Sequence, residues 1–302
     1  MMSPAFRSGF VAILGRPNVG KSTLVNQLVG SKVSIVSPKP QTTRHRILGV
    51  RTDESAQIIY IDTPGIHEQA DNLMKRMMNR TARSSAGGVD CAILVITADG
   101  WRPEDRLALA VARTSNAPLL LAVNKIDRLR ERTVLLPLIE ESAGEAQFEE
   151  IVPVSARSGL QIDALTRAVR QRIPEHPPYF DADQTTDRSE PFRAGEFVRE
   201  QLFNALGAEI PYATAIEIEE FRRETNGLLH IRAVIWVEKE GQKGIVIGKD
   251  GRVLKEIGRR ARLGMQEAFA GKVFLGLWVK VREGWSDDVR ALNQLGYWEG
   301  QA

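Results

Sequence analysis

Gly15-Arg16-Pro17-Asn18-Val19-Gly20-Lys21-Ser22 is the stretch that decides the fold. Before it runs a short apolar segment, Phe10–Leu14; after it, Lys21 to Val29 reads as a helix stopped by Gly30. The pattern G-x-x-x-x-G-K-[ST] requires a strand before and a helix after, and both are present. Its glycines let consecutive backbone N–H groups close around phosphate oxygens, and the helix start adds positive potential. Lys21 then reaches the β- and γ-phosphates, and the Ser22 hydroxyl ligates magnesium. The phosphate-binding set is Gly15, Arg16, Pro17, Asn18, Val19, Gly20, Lys21, Ser22 and Thr23.

The alternation continues outward from this loop. β-rich runs follow at Ile47–Val50, Ile58–Ile61, Cys91–Thr97, Leu119–Val123 and Ile151–Val154. Helix-length segments lie at 72–86, 103–115, 131–143 and 159–172. Such alternation predicts an α/β domain, a mostly parallel six-stranded sheet with helices on both faces. Ligands bind such sheets at the carboxyl ends of the strands, which is where the remaining motifs fall. Asp62-Thr63-Pro64-Gly65 follows one strand: Asp62 can hold magnesium through water, and the Gly65 N–H can meet a γ-phosphate. Asn124-Lys125-Ile126-Asp127 follows another. The Asp127 carboxylate accepts both guanine N1–H and the exocyclic amine, which adenine cannot offer. Asn124 braces the loop, the Lys125 stem covers the ring, and Ser155-Ala156 offers an N–H to guanine O6. In this order and each after a strand, the motifs imply a guanine-nucleotide site. Between them, residues 31–45 contain Gln41-Thr42-Thr43-Arg44, a loop that can lend a threonine to magnesium when a γ-phosphate is present. Thr43 is the preferred ligand and Thr42 the alternative.

Composition sets the frame. The chain has 302 residues, 43% hydrophobic and 26% charged, enough for two domains with their own cores. One cysteine, Cys91, excludes an internal disulfide framework and a cysteine-ligated zinc site. The four histidines show no metal-ligand spacing, and the longest apolar runs are far short of a membrane span. No signal peptide is evident, and the expectation is a cytoplasmic protein. The net charge of +3 argues against a wholesale polyanion binder without excluding a local basic patch. Thirteen of fourteen prolines fall at or before Pro191, and those from Pro174 to Pro191 read as a semi-rigid linker. The division expected is 1–175, a linker at 176–195, and a second domain at 196–302.

That second domain changes pattern. A helix from Glu196 to Leu206 precedes strands Thr214–Phe221 and Leu228–Val237, joined by the hairpin signal Asn226-Gly227. A helix from Arg252 to Ala270 and a strand Val273–Val281 follow, for an order α-β-β-α-α-β. Two Gly-x-x-Gly matches occur. Gly241 to Gly244 reads as a turn, whereas Gly248-Lys249-Asp250-Gly251 sits between an apolar half-turn and a long helix. Seven basic and two acidic residues lie between Lys243 and Arg262, with Arg252, Lys255 and Arg259 near one helical face. Ile245, Ile247, Val253, Leu254 and Ile257 are expected in the core, and so is Trp278.

The first group of motifs, GRPNVGKS, QTTRHR, DTPG, NKID and SA, is similar to the Era family of bacterial GTPases over residues 10–172. The second resembles a type II KH domain, whose glycine loop clamps about four single-stranded nucleotides. Together they resemble the Era family over nearly the whole chain. The resemblance implies a GTP/GDP switch with Mg2+ that hydrolyses GTP slowly. Its partners would be single-stranded RNA at the 3′ end of small-subunit rRNA and the 30S subunit, whose assembly it would assist. It implies RNA contacts from Ile247, Gly248, Lys249, Asp250, Gly251, Arg252, Lys255 and Arg259, and a potassium ion beside Asn18 in place of an arginine finger. Peripheral contact with the cytoplasmic face of the inner membrane is also implied, and a monomer is expected. Ile66 stands where Ras-type switches carry the water-orienting glutamine. Asp250 departs from the basic or neutral residues common in such a loop. The competing classes are a GTP-regulated protein-interaction or membrane adaptor without RNA binding, and a P-loop kinase, which Asn124–Asp127 opposes.

Overall fold

Near-continuous apolar runs, the pattern of strands buried on both faces, are what the first half of the chain supplies. In the computed structural model, which describes residues 5–66, 73–207 and 210–294, this half forms one six-stranded sheet. Its elements run β1 (Arg7–Leu14), α1 (Lys21–Val29), β2 (Ile47–Thr52), β3 (Ala56–Asp62), α2 (Leu73–Ser84) and β4 (Cys91–Thr97). There follow α3 (Pro103–Arg113), β5 (Leu119–Asn124), α4 (Leu135–Glu145), β6 (Glu150–Pro153) and α5 (Ile162–Arg170). The strand order is β2-β3-β1-β4-β5-β6, antiparallel only between β2 and β3.

All seven residues of β4 are buried, as expected of a central parallel strand covered by helices on both sides. Successive residues serve opposite cores. Val11, Ile13, Ile93 and Val95 join one cluster with Leu24 and Leu28 of α1 and Leu165 of α5. Ala12, Leu14, Leu94 and Ile96 join the other with Leu109 of α3 and Leu138 of α4. Each fully buried aliphatic side chain is worth about 1.5–3 kcal/mol. Cys91 belongs to the first cluster, and burial pushes its thiol up to about 12. Register then aligns the functional ends: Ile13 pairs with Asp62, and Thr97 with Asn124.

The second half builds α6 (Glu190–Ala205), β7 (Thr214–Arg223), β8 (Leu229–Val237), α7 (Glu240–Ile247), α8 (Arg252–Ala268), β9 (Val273–Val281) and α9 (Val289–Gln294). Its sheet has the order β7-β8-β9, with β7 antiparallel and β9 parallel to β8. Phe197 and Leu202 of α6, Ile231 and Ile235 of β8, and Ile257, Ala261 and Met265 of α8 make its core.

The chain divides into two compact units, and the boundary differs from the expected linker at 176–195. The first unit extends to Asp187 and the second resumes at Arg188. Residues 180–187 are laid on the first sheet: Val50 N–H donates to the Thr185 carbonyl at 2.9 Å and Leu48 N–H to Asp187 at 3.0 Å. The residues expected to end the linker start α6 instead. Ser189 caps that helix by accepting from Phe192 N–H, and Pro191 fits its first turn, where no backbone donor is needed. Ile35–Thr42 also belongs to the second unit, although Ser34 and Thr43 on either side belong to the first. Within that unit Val36 N–H donates to Glu200 Oε1 at 3.0 Å.

Candidate functional site

The loop after β1 takes conformations that glycine makes accessible. Gly15 has φ +151° and Gly20 φ +101°. A Cβ on Gly15 would lie 2.5 Å from the Val95 carbonyl oxygen, and one on Gly20 would lie 2.4 Å from Asn124 Nδ2. The loop is therefore pressed between β4 and the Asn124 motif. Lys21 is buried and its Nζ donates to the carbonyls of Gly15 at 3.0 Å and Arg16 at 3.1 Å. Burial holds its ammonium down to about 8, partly opposed by Asp62. Val19 is wholly buried, Asn18 is exposed at φ +63°, and Thr23 is half-buried in the first turn of α1.

Three oxygens converge beside Lys21. Ser22 Oγ lies 2.7 Å from Thr43 Oγ1, and Thr43 Oγ1 donates to Asp62 Oδ2 at 3.4 Å. Thr42, the alternative, instead donates to the Lys39 carbonyl at 2.7 Å. Asp62 is wholly buried, its pKa raised by burial against the pull of Lys21, and its Oδ1 is without a hydrogen-bond partner. A buried carboxylate with a free oxygen beside two hydroxyls is a donor set suited to a hard divalent cation. Among the described residues no cluster of histidine, cysteine and carboxylate side chains offers another metal site.

Thr63 turns its hydroxyl to the Ile13 carbonyl at 2.8 Å, so its role here is to tie β3 to β1. Pro64 leads into Gly65, which is so close to Pro17 that a Cβ would meet it at 2.8–2.9 Å. Ile66 is buried in the apolar core.

The base-recognition residues are cross-braced. Asn124 Nδ2 donates to the Val19 carbonyl at 2.8 Å, while its Oδ1 accepts from Lys125 N–H at 2.7 Å and Ala156 N–H at 3.0 Å. Ser155 Oγ donates to Asp127 Oδ1 at 2.7 Å, which aims that carboxylate. Lys125 has φ +66°, and its Nζ donates to the Asn18 carbonyl. One expectation changes here: the Ala156 N–H is used to hold Asn124.

The Arg16 side chain points away from the phosphate loop, whose expected phosphate contacts come from backbone N–H groups. Its guanidinium binds Asp105 at 3.1 Å and Thr97 at 2.7 Å. Neither partner was singled out from sequence. The one signal for Asp105 is local: it stands three residues after Arg102 at the start of a helix that has Pro103 in its first turn, and it caps the Arg102 N–H. Asn26 was also missed; its side chain binds Val33 N–H, Ser34 N–H and the Ser34 carbonyl, anchoring the start of the 31–45 loop on α1.

In the second unit Gly248 (φ +72°), Asp250 (φ +55°) and Gly251 (φ +71°) form the turn between α7 and α8. A Cβ on Gly248 would meet Val253 Cγ2 at 2.4 Å, whereas one on Gly251 would have only Lys255 Cε, at 4.0 Å. Lys249, Arg252 and Lys255 are exposed, and Ile247 is half-buried. Arg252 lies 3.7 Å from Asp250. Arg259 and Arg260 are both drawn to Glu256, at 2.8 and 2.5 Å, and hold its carboxyl down at about 2. Three readings are corrected. Gly241–Gly244 is helix, the first turns of α7, since its backbone bonds continue from Lys239 onward. Ile245 is exposed. Trp278 is 41% exposed and lies under the Arg232 guanidinium at 4.7 Å, because β9 turns Leu275, Leu277 and Val279 inward. The C-terminal expectation is covered only in part: Trp285 is wholly buried, while Leu295–Tyr297 and His67 lie outside the described residues.

Known proteins share this arrangement. Residues 10–125 match the model of the 50S ribosome-binding GTPase family, and residues 209–286 match that of the KH domain. The chain is 55% identical over 289 residues to the GTPase Era of Stenotrophomonas maltophilia, covering 96% of this chain and 97% of that one. The chain belongs to the Era GTPase family. The Era of Xanthomonas oryzae is 54% identical over 98% of each chain. Among solved structures, an Aquifex aeolicus Era variant bound to GDP·AlF4− superposes on this family member with a TM-score of 0.93. That match has 39% identity and covers 97% of this chain and 99% of the other. An Era in complex with MgGDPNP and nucleotides 1506–1542 of 16S ribosomal RNA gives the same values. The chain is accordingly a GTPase of two domains, a P-loop domain and a KH domain.

Proposed function

We propose that this GTPase is a nucleotide-operated RNA clamp that assists 30S subunit assembly by holding single-stranded RNA at the 3′ end of the small-subunit rRNA. The observation that carries the reading is the loop between α1 and β2. Thr43 meets Ser22 and Asp62, while the eight residues before it, Ile35–Thr42, belong to the unit that holds the Gly248–Gly251 turn. With GTP and magnesium bound, Thr43 would be held at the ion, and Ile35–Thr42, which precedes it in the chain, would carry that state into the second unit. The Era complex with MgGDPNP and 16S rRNA nucleotides supports both ligands.

Ser22 and Thr43 would hold Mg2+ directly and Asp62 through water. The ion would neutralise charge on the β- and γ-phosphates, as Lys21 does from the other side. Asp127 would pair with guanine, covered by Lys125. Gly248 and Gly251 would admit the RNA backbone, flanked by Ile247, Lys249, Arg252 and Lys255; Arg259 contributes less, its charge being shared with Glu256. With Ile66 in the core, water is placed by backbone and ions, and intrinsic turnover is slow. A potassium ion at exposed Asn18 would supply the charge of an arginine finger, a step that equal turnover in sodium and potassium buffers removes. No helix among the described residues is long and apolar enough to cross a membrane. Cytoplasmic localisation follows the sequence expectation, and peripheral membrane contact follows the family likeness.

The decisive experiment is RNA crosslinking with GTP-loaded and GDP-loaded protein. Different recovery in the two states is expected, and equal recovery overturns the switch. Recovery of no RNA in either state returns the adaptor reading.

A further inference from the structure

The side chain of Arg16 leaves the phosphate loop and enters a buried network. Its Nε donates to Asp105 Oδ2 at 3.1 Å and its Nη2 to Thr97 Oγ1 at 2.7 Å. Asp99 stands 3.9 Å away on the more exposed side. The Asp105 side chain is fully buried and that of Arg16 is 12% exposed. The same Asp105 oxygen accepts the Arg102 N–H at 3.1 Å, so the carboxylate is fixed to the first turn of α3 before it meets the guanidinium. Thr97 is the last residue of β4. On its other side, Arg16 offers its carbonyl to Lys21 Nζ at 3.1 Å. A continuous line of bonds thus runs from α3 and β4, through Arg16, to the phosphate-binding lysine.

The residue types suit this use. A buried carboxylate is costly without a cation, so Asp105 holds Arg16 firmly. A guanidinium presents donors in a rigid fork and reaches two acceptors on two elements, which a single ammonium cannot do with the same geometry. Gly15 before it and the Gly20 turn after it leave the loop conformationally permissive, so an anchor on the residue between them has something to restrain.

We propose that Asp105, with Thr97, is a positioning residue of the nucleotide site: it locks Arg16 so that the phosphate loop keeps its closed form and retains nucleotide. Asp105 acts through Arg16 and touches no nucleotide. The inference rests on the guanine-nucleotide reading of this loop.

The test follows release of mant-GDP from full-length protein chased with excess GDP. Uptake of mant-GDP by the unaltered protein checks the nucleotide reading separately; without it that reading fails first. Asp105→Ala and Arg16→Ala are each expected to release mant-GDP about tenfold faster, since each removes charge-assisted bonds that hold the loop. The double variant is expected to be no faster than Arg16→Ala alone, because both changes break one line of bonds. In steady-state turnover, KM for GTP rises by a larger factor than kcat falls. A merely structural role lowers the melting temperature without speeding release from the folded protein. Arg16→Lys and Thr97→Val keep the buried carboxylate paired, so they cover the case in which Asp105→Ala does not fold; each is expected to release about threefold faster. Wild-type release rates in both, or additive effects in the double variant, overturn the proposal.

Discussion

At Gly20 the phosphate loop and the guanine-recognition motif meet through one missing side chain. Gly20→Ala forces a Cβ to within 2.4 Å of Asn124 Nδ2 in a backbone conformation that alanine resists. The strain, of order 1–3 kcal/mol, falls on a side chain that braces both loops. GDP affinity is therefore expected to drop about tenfold to a hundredfold, and unchanged affinity in a mant-GDP titration would contradict the geometry. Asp127 depends on a neighbour as well. Ser155→Ala removes the 2.7 Å donor that aims its carboxylate, and a lost bond to a charged group costs about 1.5–3 kcal/mol, to be read as discrimination of GDP over ADP. Lys21 gives a pH signature. Burial holds it down to about 8, and phosphate oxygens raise it again. Between about 8 and its ordinary 10.5, nucleotide-bound protein then carries more protons than free protein, so affinity falls as pH rises through that window. Calorimetry near pH ~8.5 in two buffers of different ionisation enthalpy should reveal proton uptake on GDP binding; identical heats in both would exclude it.

The turn between α7 and α8 shows how a motif weak in sequence acquires meaning as an element. Both of its glycines have positive φ, yet their surroundings differ: Gly248 is crowded by Val253, while Gly251 has no near obstacle. Gly251→Ala should cost roughly 1–2 kcal/mol for its backbone conformation alone. Gly248→Ala adds a steric clash and should displace the first turn of α8. RNA affinity is therefore expected to fall more for Gly248→Ala than for Gly251→Ala, with both proteins compared by filter binding. A reversed order would mean that the clamp is not built at Gly248. The extent of the elements was largely legible. Lys21–Val29, Cys91–Thr97 and Val273–Val281 stand where local pattern put them, because caps, breakers and periodicity act between near neighbours. Gly241–Gly244 was not legible, because glycines inside a short helix look the same in sequence as glycines in a turn.

For the molecule as a whole, charge is a sum that hides its arrangement. Residues 201–302 carry fifteen basic and fourteen acidic side chains, so the RNA-binding domain is nearly neutral, and its basic run at 243–262 is local. Within that run Arg259 and Arg260 share Glu256, and Arg252 faces Asp250, which leaves Lys249 and Lys255 as the exposed cations nearest the clamp. Single-stranded RNA binding should then show a shallow salt dependence, a slope of about −1.4 in log K against log salt, at about −0.7 for each phosphate the two lysines neutralise. Lys255→Ala should make it shallower by about 0.7. A slope several times steeper would indicate a broad basic surface in place of a narrow clamp.

What the sequence determined by itself was everything that depends on spacing along the chain. The glycines, Lys21 and Ser22 of the phosphate loop, the Asp62 and Asp127 motifs after their strands, and the helix order of the second domain are all of this kind. Their chemistry is carried by residues close in sequence or at the shared end of parallel strands. Only the tertiary structure decided which of two adjacent threonines meets Ser22, since Thr42 and Thr43 differ by the side of the loop they face. It alone turned Trp278 outward, because a strand with large apolar residues on both faces does not announce which face is buried. It alone brought Asp105 to Arg16, 89 residues away. Pairing of that kind depends on where the sheet places the start of α3, and no local pattern of charge encodes it.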